Sequence, residues 1–168
     1  RRVFTELSID VQERLCQALA WRVLGERKDA EAAVTIPFDA AVQVCADELA
    51  EQRDERDRTA CERQARAWLH WMVSESGLLV EASPAVLEFM HLSIGEYLAA
   101  MAWHSRGGFA SDKAAARGLL ALAGVKETQQ IALYAAAVGC ERLRRLAGAL
   151  VAANERGDGD TWVWLLDL

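Results

Sequence analysis

Apolar residues recur every three or four positions through the first part of the chain. Val11, Leu15, Leu19 and Val23 mark one face of a helix that Ser8 can cap and that runs to about Arg27. Val34-Thr35-Ile36 is a short extended piece, and Pro37 stands where a first helical turn tolerates proline. A second helix is predicted from about Phe38 to Gln52, with Ala41, Val42, Cys45 and Leu49 inward. Thr59 to Glu75 reads as a third. Its inward stripe is Cys61, Ala65, Trp68, Leu69 and Met72, and Gly77 ends it.

The period then switches from helical to alternating. Leu78 to Glu81 and Val86 to Met90 read as two strands joined by a turn at Ala82-Ser83-Pro84-Ala85. Three helices closed by a β-hairpin is the winged-helix plan. Ser93 and Glu96 have the spacing of a capping box, and the helix that follows puts Ile94, Tyr97, Leu98 and Met101 on one face. It ends near Gly107-Gly108. The remainder is Ala-rich, with helices predicted from Ser111 to about Ala123, Lys126 to Val138 and Glu141 to Ala153. Leu122-Ala123-Gly124 and Leu146-Ala147-Gly148 hint at repetition. The expected fold is therefore mainly α. A winged-helix-like subdomain over residues 1–92 precedes an α-helical, solenoid-like subdomain over residues 93–168. The apolar run Trp162 to Leu168 ends without a stop signal, and both chain ends read as cuts through a longer protein.

Charge narrows the function. The net charge of −6 opposes phosphate backbones, which disfavours general nucleic-acid binding. Arg63, Arg66 and His70 nevertheless lie on the third helix, where a DNA-recognition helix would present them. No apolar stretch reaches the roughly 18–20 residues that span a bilayer, and no signal-peptide pattern opens the chain. Cys16, Cys45, Cys61 and Cys140 form no C-x-x-C pair and match no zinc spacing. Buried, reduced thiols are the expectation. Gly157-Asp158-Gly159-Asp160 lacks the ligand run and terminal Glu of a calcium loop and reads as a plain turn.

One segment carries specific information. Ser76-Gly77-Leu78-Leu79-Val80, followed by Leu87-Glu88-Phe89-Met90-His91-Leu92-Ser93-Ile94-Gly95-Glu96-Tyr97-Leu98-Ala99-Ala100, resembles a signature of NACHT-type signalling NTPases, members of the STAND class. That pattern is close to F-x-H-x-S-F-Q-E-Y-x-A-A. It falls at the end of a winged-helix domain and leads into a helical domain. Phe89, His91, Ser93, Glu96, Tyr97, Ala99 and Ala100 keep it, while Ile94 and Gly95 stand where the family usually has Phe and Gln.

By the residues alone, His91 sits at a strand-to-helix junction near a helix N-terminus. Such a place suits anions, but the residues alone favour a half-buried histidine bonded to local backbone. The resemblance implies that His91 contacts the β-phosphate of ADP bound to an upstream NTPase domain and holds the closed state. It implies ADP or ATP in the parent protein only, the upstream domain as partner, other protomers on activation, and a cytoplasmic role in bacterial defence or innate immunity. No G-x-x-x-x-G-K-S/T, G-x-S-x-G or H-E-x-x-H motif is present, so neither catalytic nor metal-ligating residues are expected in this segment. A helical protein-interaction scaffold is the alternative that overlaps with this reading.

Overall fold

The computed structural model describes residues 7–26, 34–53, 57–108 and 112–138. Helix α1 (Ile9–Ala20) opens on Ser8, whose hydroxyl accepts from Val11 N–H at 3.4 Å. It continues as one π-helical turn, Trp21–Gly25. Strand β1 (Thr35–Pro37) follows, and α2 (Phe38–Arg53) starts directly after it. Pro37 is thus the last strand residue, paired with Val86, rather than a residue of the first helical turn. Its missing N–H costs nothing at the edge of a sheet.

Helix α3 (Arg58–Trp71) is capped by Asp57, which accepts from Ala60 N–H at 3.1 Å. A π turn, Met72–Ser76, prolongs it. Gly77 then ends it at φ +68°, a left-handed conformation that favours glycine. The predicted inward stripe of Cys61, Ala65, Trp68, Leu69 and Met72 is buried throughout. Trp68 is fully enclosed, and its indole N–H has no partner among the described residues.

Strands β2 (Leu79–Ser83) and β3 (Val86–Phe89) form the expected hairpin. The sheet has three antiparallel strands in the order β1-β3-β2, so the extended piece at Thr35 completes what the hairpin begins. The turn is tighter than predicted. Ser83 pairs with Val86 beyond a bulge at Glu81, and Ala85 takes φ +58°. Two bonds hold this tip. The Glu81 carboxylate accepts from Ala85 N–H at 2.7 Å, and Phe38 N–H donates to the Ala85 carbonyl at 2.7 Å. The wing is therefore tied to the start of α2.

Helix α4 (Leu92–Trp103) continues as a π turn, His104–Gly108. Helix α5 (Asp112–Ala123), a 3₁₀ turn (Lys126–Thr128) and α6 (Gln129–Val138) follow. Buried Thr128 secures that turn by donating to the Leu122 carbonyl at 2.6 Å. Helix α4 packs against α1 on one side and α6 on the other. The core accordingly runs without a break from Leu15 and Leu19 through Trp68 and Trp103 to Leu119 and Ile131. The helix predicted over Glu141 to Ala153, the turn at residues 157–160 and the run from Trp162 to Leu168 lie outside the described residues.

Candidate functional site

The junction between β3 and α4 is where the informative motif falls. Leu87 and Phe89 point into the core, and Met90 N–H donates to the Leu78 carbonyl at 3.0 Å, closing the ladder. The chain turns at once. His91 is extended (φ −125°, ψ 118°) and is itself the N-cap of α4, its carbonyl accepting from Ile94 N–H at 3.1 Å and Gly95 N–H at 3.3 Å. Its imidazole makes no capping bond and is exposed.

The predicted capping box is therefore not formed. Ser93 lies inside the first helical turn, and a box needs its serine in the non-helical cap position. Packing sets the earlier start. Helix α4 presses on the π end of α1 so closely that a Cβ at Gly95 would stand 2.8 Å from Leu24 Cδ1 and 3.0 Å from the Phe89 ring. The departure from the resembled pattern at this position thus has a steric cause.

The packing face of α4 is Gly95, Ala99, Ala100, Ala102 and Trp103. The apolar residues that the periodicity singled out lie largely elsewhere. Ile94 is 40% and Tyr97 44% exposed, with Leu98 and Met101 half-buried. Met90 and Leu92, on either side of His91, are 49% and 48% exposed. An exposed imidazole is thus bracketed by exposed apolar side chains. Tyr97 reaches Tyr134 of α6 edge-on, 6.0 Å between ring centres. The sequence signal for the true packing face was present in the small residues at i, i+4 and i+7 from Gly95.

The first turn of α4 offers amide N–H groups without intrahelical acceptors. Together with the His91 ring this is a donor set that fits a phosphate oxygen. Among the described residues no cluster of three or more His, Cys, Asp or Glu could hold a metal. No described helix is long and apolar enough to cross a membrane.

Of the side chains that a recognition helix would present, Arg63 is exposed, whereas Arg66, His70 and the neighbouring Arg58 are engaged. Arg66 reaches Asp39 of α2 at 2.8 Å and lies over the Phe38 ring, against which His70 also packs. Arg58 reaches Asp47 at 2.8 Å and Glu62 at 3.3 Å. A DNA-recognition face would have to break such pairs before meeting phosphate. Cys16, Cys45 and Cys61 are buried and belong to no disulfide. Burial, with Glu13 nearby, pushes the Cys16 thiol up to about 12. Burial chiefly, then Cys16 and Glu48, pushes Cys45 well above the ordinary thiol value. Neither has the thiolate character of a nucleophile. An open cleft of about 460 Å³ between α1, α2 and the end of α4 is lined by Arg14, Gln17, Glu48, Glu51 and Arg106, away from the motif.

The family model of the winged helix-turn-helix domain C-terminal to NACHT covers residues 1–103, from the chain start to the end of α4. No curated protein and no solved structure matches.

Proposed function

Because the chain belongs to the family of winged helix-turn-helix domains that lie C-terminal to NACHT, we propose that it is the regulatory segment of a nucleotide-switch protein and catalyses nothing itself. The family places an NTPase domain earlier in the same polypeptide. That domain binds ADP or ATP, and this segment packs against it and keeps it in the ADP-bound, closed state. The observation that carries the reading is the placement of His91: exposed, at the cap of α4, beside amides that lack helical acceptors. An imidazole N–H there donates to a phosphate oxygen of the bound nucleotide, and the positive end of the helix favours the same negative charge. Release of the contact lets the segment swing away and other protomers join. The family setting supports a cytoplasmic signalling protein of the defence or innate-immunity type.

The test uses the full-length protein. His91→Ala removes a charge-assisted hydrogen bond, so ADP should dissociate roughly tenfold faster or more and basal signalling should rise. ADP retention and basal activity that both match the wild type would remove this role from His91.

A further inference from the structure

The cleft between α1, α2 and the end of α4 holds charges that nothing in the described fold uses. The walls of its main lobe, about 460 Å³, have opposite sign. Glu48 and Glu51 stand on the α2 side. Arg14 of α1 and Arg106 of the π turn after α4 stand opposite. Among the described residues Arg14, Arg106 and Glu51 make no ion pair, and Glu48 accepts from Gln52 on its own helix at 2.8 Å. Elsewhere in the fold opposite charges close on each other, as Arg66 does on Asp39. Here they face each other across a gap.

The wall with the two arginines also carries neutral donors. Gln17 is 6% exposed, donates to Glu13 at 2.9 Å and accepts from Ser105 at 3.3 Å. A primary amide has two N–H groups, so one remains for the cleft. A second lobe, about 320 Å³, continues from the first past Ala18, Glu48, Glu51 and Arg106. Its further charges are already neutralised, Arg22 by Glu26 and Asp47 by Arg58. It adds Trp21 and Val44, both half-buried, as apolar contact. Single π turns are frequent at functional sites, and Trp21–Gly25 and His104–Gly108 both border this cleft.

We propose that the cleft is a binding site for a short peptide of two or three residues with free termini. The peptide carboxylate lies between Arg14 and Arg106, within reach of the Ser105 hydroxyl and the spare Gln17 N–H. Its ammonium lies against Glu48 and Glu51, and a side chain enters the second lobe against Trp21 and Val44. Charge selects this class. A purely anionic ligand would meet the two glutamates, and a purely cationic one the two arginines. Length selects within it. Packed helices lie about 8–10 Å apart. A free amino acid carries both charges beside one carbon and serves one wall. Two or three residues separate them by roughly 7–10 Å, at about 3.3–3.6 Å per residue. The volume of the main lobe falls in the range of about 300–1,000 Å³ usual for small-ligand sites. The site is independent of His91, which caps the other end of α4.

Equilibrium dialysis of the full-length protein against a mixed library of dipeptides and tripeptides, read by mass spectrometry, tests this. Peptides with free termini should be retained, and the same library N-acetylated and C-amidated should be retained at least about tenfold less. Arg106→Gln and Glu51→Gln should each weaken retention about tenfold. N-acetylation alone should cancel the effect of Glu51→Gln, and C-amidation alone that of Arg106→Gln. Both side chains are exposed, so both variants should melt with the wild type, which separates lost binding from lost fold. His91→Ala should change nothing. Failure to retain any peptide would overturn the site. Equal retention of the capped library would also overturn it and give the cleft to an internal polypeptide segment. Retention that neither substitution reduces would place the binding elsewhere.

Discussion

Gly95 shows how much one missing side chain decides. Its absent Cβ lets α4 lie against Leu24 and Phe89, and that approach sets where the helix starts and which residue caps it. Both neighbours are buried, so neither can yield freely. Gly95→Ala is expected to destabilise the fold by about 1–3 kcal/mol through overpacking. Denaturant midpoints measure it, and an unchanged midpoint would mean that Leu24 and Phe89 move aside. The glutamine of the resembled pattern would be worse than alanine at this backbone position. His91 was legible as a residue to notice, because its spacing from Phe89, Ser93 and Glu96 was intact. Its exposure was not legible. Strand parity puts it with Leu87 and Phe89, on the buried side, and only the turn at Met90 carries it outward.

Helix boundaries followed local chemistry where side chains had room to act. Ser8 caps α1 as expected, and Gly77 ends the third helix in the left-handed conformation. At α4 the same chemistry was overridden: the S-x-x-E spacing exists, but the helix is capped at His91, two residues before the serine. A pair of substitutions separates the two cases. Ser8→Ala should cost about 1 kcal/mol, the ordinary value of a serine cap. Ser93→Ala should stay within about 0.5 kcal/mol, since the residue is exposed and caps nothing. Comparable losses of thermal stability in both would restore the capping box. The faces of α4 teach the same lesson. Bulk was read as the packing stripe, whereas the small residues are what pack, because α4 is clasped between α1 and α6 and close approach needs little side chain.

At the scale of the molecule, one continuous core among the described residues joins α1–α3 to α4–α6. Gln17 of α1, itself buried, accepts from Ser105 at the end of α4 at 3.3 Å and adds a polar tie across that contact. Cys16 and Cys45 belong to this core. Their neutral forms are favoured by burial, so stability is complete below the ordinary thiol value of 9.0. It falls as pH rises from there towards about 12, where folded Cys16 ionises. Alkaline unfolding followed by tryptophan fluorescence and circular dichroism should give one coincident transition. Cys16→Ala should shift it to higher pH. Two separated transitions would divide the core, and an unmoved midpoint in the variant would remove the thiol from the cause.

Periodicity and punctuation in the sequence determined the mainly helical class, the three helices with their hairpin and the buried stripe through Trp68. These follow from local rules: hydrophobic period, turn residues and caps act over a few positions. The motif around His91 pointed to the family before any coordinates. Only the tertiary structure decided that Thr35 to Pro37 join the sheet, that α4 begins at Leu92 with His91 as its cap, and that exposed apolar side chains bracket an exposed ring. Those outcomes depend on which surfaces meet across long separations in the chain. A glycine facing Leu24, 71 residues earlier, leaves no local trace of what it will touch.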